Sequence, residues 1–542
     1  MISRRDFLSR SGLIAAVAAI PQTVRSAEEA QKLANHKPKN IIHLVADGTS
    51  MGTICLADHF SYKVRGRGLT WVALMNNPAI NFAWVDMRSL NSLVTDSAAA
   101  ASSWGSGSRV LNGALNQLPD GTTLKTLYEL FGEAGWKRGL VTTTEITHAT
   151  PAGFAANVDE RDTGNLIAIQ YLQRKIDVLL GGGQKFFTPT GRSDKRNLKA
   201  DFAKAGYEVM EDVEALKLAS VEKPWLGIFD KSHLPFMIDL LNNEKIKAKI
   251  PTLSFMAKRA LEWLSRYPNF ILQVEGGRID HAAHNCDAPA AIQEVLEFDK
   301  AIDVCLEFQA QNPETLIIIT VDHGNGNPGL NGMGKTYGQS SWLFANVAGF
   351  KASFPEILKA IKSGGKTTSE EKKEEDTKED EGVSAVNNNR SYSGSTTTQQ
   401  VSLPSPEKIV EIIREKTGLP YVSSRRAEVF RSLLDKKTFV LYEVMNNENA
   451  HLSQLLANYI GIGWASGSHT SDYVPLTAIG PGSDKFRGFL QNTQVFYNYL
   501  SLANIDYKNP TLDLLAFEGK GLEAHEVENI AEYSETDYSS FA

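Results

Sequence analysis

Asn40-Ile41-Ile42-His43-Leu44-Val45-Ala46-Asp47 is a run of apolar, β-favouring residues that stops on a carboxylate. Such near-continuous hydrophobicity belongs to a strand covered on both faces, as in a parallel sheet. Three further runs have the same form: residues 138–144 before Glu145, 269–274 before Glu275, and 315–321 before Asp322. Helical patterns lie between them, for example over residues 124–134 and 251–267. Buried strands alternating with helices predict an α/β fold built on a mainly parallel sheet. In such sheets functional groups gather beyond the carboxyl ends of the strands, so three acids at three strand ends are expected within reach of one another.

The chain has 542 residues, 42% hydrophobic and 22% charged, with a formal net charge of −7. That is ordinary for a globular protein with a substantial core, and it lacks the basic bias of a nucleic-acid binder. Cys55, Cys286 and Cys305 are too few and too scattered for a disulfide framework or a thiolate metal site. At the N-terminus, Ser3-Arg4-Arg5-Asp6-Phe7-Leu8 precedes an apolar run from Gly12 to Ile20, and small residues near Ser26 offer a cleavage point. This pattern reads as a signal peptide over residues 1–26, too short to span a bilayer. Its arginine pair resembles a twin-arginine signal, which implies a periplasmic or secreted protein. No later segment is apolar enough to predict a transmembrane span.

Residues 363–402 break the α/β pattern. Glu370-Glu371-Lys372-Lys373-Glu374-Glu375-Asp376 leads into an Asn/Ser/Thr/Gln stretch with almost no apolar residue. Such a segment buries too little surface to offset its ordering entropy, so a disordered low-complexity loop is expected. It interrupts residues 342–464, after which a β-like run returns at residues 474–479.

The chemistry centres on Thr95-Asp96-Ser97-Ala98-Ala99-Ala100-Ala101. Taken alone, this is a helix start with Asp96 or Ser97 near the cap. It also places a serine oxygen at the positive end of a helix, where a phosphate is favoured. A serine hydroxyl needs a base or a metal to become a nucleophile. Glu275-Gly276-Gly277-Arg278-Ile279-Asp280-His281-Ala282-Ala283-His284 supplies candidate ligands. Asp280 and His284 are four apart and share one helix face, and a carboxylate with an imidazole suits zinc. Asp322-His323-Gly324 adds a second carboxylate–imidazole pair after a strand, and His469 completes the first set.

These motifs, with Asp47-Gly48-Thr49-Ser50-Met51-Gly52 and His148-Ala149-Thr150-Pro151-Ala152, run in an order that resembles the alkaline phosphatase family from Asn40 to about Tyr499. The resemblance implies a three-layer α/β/α sandwich, with residues 27–542 forming the catalytic domain and 342–464 an inserted crown-like region. It implies a phosphomonoesterase that uses two Zn2+ and one Mg2+, with Ser97 as nucleophile and a phosphoserine intermediate. Asp280, His284 and His469 match the ligands of one zinc; Asp322, His323 and Asp47 match those of the other. Asp47, Thr150 and Glu275 match the magnesium ligands, and Arg161 matches the phosphate-binding arginine. His148 and His281 stand where the family varies, which leaves the third metal's identity open. Phosphate monoesters and inorganic phosphate are the expected partners, and a homodimer, common in relatives, is the candidate assembly.

Rival readings are a phosphodiesterase or sulfatase of the same superfamily and an inert exported binding protein. Ser97 followed by alanines departs from the sulfatase context, and Asp47, Thr150 and Glu275 together favour the monoesterase. His43, inside an apolar strand, and His233, outside the motifs, read as structural.

Overall fold

The computed structural model describes residues 37–364, 403–437 and 440–514. The first strand, β1 (Asn40–Val45), lies inside a ten-stranded sheet. The other strands are β2 (Asn81–Asp86), β3 (Lys137–Glu145), β4 (Val178–Gly182), β5 (Glu208–Met210), β6 (Trp225–Ile228), β7 (Phe270–Glu275) and β8 (Thr315–Thr320). Beyond the two-residue segments β9 (Gly324–Asn325) and β10 (His469–Thr470), β11 (Val474–Ile479) and β12 (Gly488–Gln491) complete it. Across the sheet the order is β12-β2-β11-β8-β1-β7-β3-β4-β6-β5. All neighbours are parallel except β11, which runs antiparallel to both β2 and β8. With helices flanking this sheet, the three-layer α/β/α expectation holds.

Register explains why distant motifs meet. Val45 is opposite Glu275 on one side and Thr320 on the other. Asp47 and Asp322 each lie two residues past that row, so three acids emerge together at one sheet edge. β7 and β8 are fully buried, as their continuous apolar runs require. The turn after β1 needs Gly48, whose φ is +61°; a Cβ there would meet Asp280 Oδ1 at 2.1 Å.

Among the helices that frame the site and the core are α1 (Met51–Arg65), α2 (Ser97–Ser106), α3 (Ala149–Ala155), α4 (Leu253–Leu264), α5 (Arg278–His284), α6 (Ala288–Gln311) and α7 (Asn492–Ala503). Every residue of α2 is buried. It approaches α3 closely because both carry glycine at the crossing: a Cβ on Gly105 would meet Gly153 O at 1.8 Å. Acids on α6 bind the starts of other helices. Glu297 accepts from Ser254 N and Asp299 from Trp71 N, each satisfying an orphan helix-start donor.

His43 is wholly buried and packs edge-on against Trp104, with ring centroids 4.9 Å apart, and beside Phe154. Its Nδ1 is 2.6 Å from Tyr499 Oη, whereas Nε2 has no hydrogen-bond partner. Burial lowers its pKa to about 3. The three cysteines are free thiols.

The chain divides into two compact units, one through Leu330 and again from Trp464, the other Asn331–Gly463. Within the second unit, residues 340–345, 354–362, 406–417, 424–434 and 448–460 are helical. The signal sequence expected over residues 1–26 lies outside the described residues, as do residues 365–402 of the expected low-complexity loop. Among the described residues, no helix is long and apolar enough to cross a membrane.

Candidate metal-centred active site

Ser97 is the first residue of α2, and Asp96 caps that helix by accepting Ala99 N–H at 2.9 Å. The Ser97 hydroxyl is buried and lies 3.1 Å from His323 Nε2. Three groups of ligand-type side chains lie on this edge: Asp280, His284 and His469; Asp47, Asp322 and His323; and Asp47, His148 and Glu275. Asp280 and His284, one turn apart on α5, approach to 3.2 Å. His469 enters from β10, its Nε2 3.1 Å from His284 Nε2.

The imidazoles are oriented from behind. Nδ1 of His284 donates to Gly467 O at 2.7 Å, Nδ1 of His469 to Thr95 O at 3.0 Å, and Nδ1 of His323 to Gly324 O at 3.3 Å. That tautomer leaves each Nε2 lone pair turned into the cluster, where it faces another imidazole or a carboxylate. Asp47 Oδ1, Asp322 Oδ2 and Glu275 Oε1 are buried with no hydrogen-bond donor. Acceptors facing acceptors in a water-poor interior are costly unless a proton or a cation lies between them. Burial, with the charges of Asp322, Asp280 and Glu275, drives the Asp47 pKa well above the usual carboxylate range. Burial pushes Glu275 up to about 7. The clusters of Asp280, His284 and His469 and of Asp47, Asp322 and His323 suit a borderline-soft ion such as zinc, and the paired carboxylates of Asp47 and Glu275 in the third suit a harder one.

Thr150, at the start of α3, donates to Asp47 Oδ2 at 3.4 Å. Glu275 Oε2 accepts from Thr142 and Thr144 of β3, two residues that the motif reading passed over. Their only sequence signal is the row of threonines before Glu145. Glu145 itself turns away and binds Lys185 and Ser232, so it does not join the other strand-end acids. Arg161 reaches Asp96 Oδ2 at 3.1 Å and His148 Nε2 at 3.2 Å, which puts a guanidinium beside the start of the serine helix. His281 receives a hydrogen bond at Nδ1 from Arg278 and lies 5.6 Å, ring to ring, from His148. His233 packs 4.4 Å from His281 and 5.6 Å from His148. No local sequence pattern marks it, because a loop far from the motifs carries it there.

A family model described as alkaline phosphatase matches residues 38–403. Alkaline phosphatase 3 of Bacillus subtilis is 30% identical over 429 residues, covering 77% of this chain and 78% of that protein. Alkaline phosphatase 4 of the same organism is 29% identical over 499 residues, covering 89% and 91%. The crystal structure of the Thermus thermophilus alkaline phosphatase superposes with a TM-score of 0.75 at 30% identity, covering 91% of this chain and 97% of that one. The chain belongs to the alkaline phosphatase family. It is accordingly a phosphomonoesterase, a hydrolase of phosphate monoesters, and alkaline phosphatases are metal-dependent enzymes. In this alkaline phosphatase, Asp96 has a second task that its cap role concealed: besides Ala99 N–H, it binds Gly113 N–H and Arg161.

Proposed function

We propose that this protein is an exported alkaline phosphatase that hydrolyses phosphate monoesters through a phosphoserine on Ser97. One observation carries the reading. The Ser97 oxygen stands at a helix N-terminus, 3.1 Å from an imidazole whose other nitrogen is already committed. In this reading Asp280, His284 and His469 hold one Zn2+ and Asp47, Asp322 and His323 the other. Asp47, Thr150 and Glu275 hold Mg2+, with His148 and His281 beside that site. When bound, such ions supply Lewis acidity, lowering the pKa of a nearby hydroxyl and neutralising charge on phosphoryl oxygens.

Ser97 Oγ bonds to phosphorus as the ester oxygen departs, and the serine proton ends on that oxygen, which leaves as the alcohol. The free N–H groups of the first turn of α2 and the Arg161 guanidinium hold the non-bridging oxygens. Asp96 keeps Arg161 in place, which lowers the ordering cost of binding. Water then displaces the serine oxygen from phosphorus, releasing inorganic phosphate and restoring the hydroxyl.

The compact unit Asn331–Gly463 supports reading residues 342–464 as the crown-like insertion of the catalytic domain. The Arg4-Arg5 segment supports twin-arginine export to the periplasm or medium. Replacing both arginines with lysine is expected to hold activity in the cytoplasmic fraction.

The competing diesterase reading is tested with p-nitrophenyl phosphate and bis-p-nitrophenyl phosphate. The monoester is expected to turn over faster; a preference for the diester would overturn the proposal.

A further inference from the structure

Asn325 directly follows the Asp322-His323-Gly324 turn and is fully buried. In the antiparallel pair β9–β10 it stands opposite His469. Its amide Nδ2 donates to Asp280 Oδ1 at 2.7 Å and lies 3.4 Å from Asp280 O. The reverse amide orientation would set Oδ1 against a carboxylate, so chemistry selects the donating one.

The asparagine is itself held. Ser50 Oγ donates to Asn325 O at 2.9 Å and accepts from Asn325 N at 3.0 Å. Ser50 occupies the N-cap of α1, where a serine ordinarily accepts from its own helix; here its side chain caps nothing. The hydroxyl has been diverted to Asn325. Asp280 Oδ1 thus receives the Asn325 amide, and Oδ2 faces His284 Nε2 at 3.2 Å. Gly48 backs the same carboxylate too closely to admit a side chain.

We infer that Asn325, clamped by Ser50, is the positioning residue that aims Asp280 at the ion shared with His284 and His469. The inference rests on the two-zinc reading above. The hydrogen bonds of the Asn325 side chain go to Asp280 and not to Asp47, Asp322 or His323, so its loss is expected to act on one ion of the two. Partners that orient metal ligands in this way are worth about 10–100-fold in metal affinity.

The test follows zinc release into excess chelator from wild type, Asn325→Leu and Ser50→Ala. Leucine keeps approximately the shape of asparagine without its donor. The phase belonging to the Asp280 cluster is assigned with His469→Ala. Expected is release of that zinc about 10–100-fold faster in Asn325→Leu, with the other zinc leaving at the wild-type rate. Retention of that second ion reports an intact fold. Ser50→Ala should speed the same phase by a smaller factor. Wild-type release in both phases, or equal acceleration of both, would overturn the inference while leaving the two-zinc reading intact. Should Asn325→Leu fail to fold, Ser50→Ala decides alone, and wild-type kinetics there overturn the inference. Wild-type protein that binds no zinc would overturn both.

Discussion

In the proposed reaction Ser97 and Arg161 divide the work on the phosphoryl group, and each has its own signature in kinetics. Ser97→Ala removes the oxygen proposed to bond to phosphorus, so kcat should fall by at least about a thousandfold. Rapid-quench labelling should find no phosphoenzyme, while zinc content stays at the wild-type level; a surviving burst would rule Ser97 out as nucleophile. Arg161→Ala removes charge-assisted hydrogen bonds worth about 1.5–3 kcal/mol. KM for a monoester and the inhibition constant of phosphate should therefore both rise about 10–100-fold. Unchanged phosphate inhibition would remove Arg161 from the site. Both residues are visible in sequence, but for different reasons. Ser97 reads as a helix start until ligands are found elsewhere, and Arg161 is an ordinary arginine among acids until Asp96 and His148 are folded against it.

The elements position these residues through close approach, which makes glycine informative. A Cβ on Gly153 would lie 2.5 Å from Ala101 Cβ, wedging α3 from α2. Overpacking of this kind costs about 1–3 kcal/mol. Gly153→Ala should lower the melting temperature and also kcat, because α3 carries Thr150 and α2 carries Ser97. Calorimetry with steady-state kinetics checks both, and a variant with wild-type stability would show that the two helices can separate freely. Beneath them, His43 stays neutral in the fold to about pH 3, whereas the unfolded chain takes up a proton below about 6.5. Between those values the unfolded state binds more protons, so stability falls as pH falls, by up to about 5 kcal/mol. His43→Gln should flatten the slope of melting temperature between pH 7 and 4. Parallel slopes in the two proteins would refute this assignment. The apolar strand around His43 made it legible as core; that Nε2 goes unpaired was not legible, since its surroundings come from α2, α3 and α7.

Over the whole molecule, the carboxyl edge of the sheet concentrates Asp47, Glu275, Asp280 and Asp322 in a buried space. Removing divalent ions should therefore destabilise the fold as well as abolish activity. Ions at about a thousand times their dissociation constant contribute about 4 kcal/mol. Thermal scans with and without chelator should show a clear drop, reversed by zinc and magnesium together; coincident scans would contradict a metal-bridged edge. Ordered, individually modest motifs were enough to read an α/β fold and most of the assembled side chains. Each carries its meaning locally: strand hydrophobicity, a cap, an i, i+4 pair or a strand-end acid. Relations across the chain were decided only in three dimensions. Register brought Asp47 and Asp322 to the same sheet edge as Glu275, two residues past its row, while Glu145 pairs with Lys185 instead. Packing brought Thr142, Thr144, His233 and Asn325 to groups tens or hundreds of residues distant. The amino-acid sequence by itself determined which chemistries are present, because residue type and short-range periodicity are local properties. Only the tertiary structure decided which atoms face one another, because sheet register and helix packing are set by contacts that no local stretch contains.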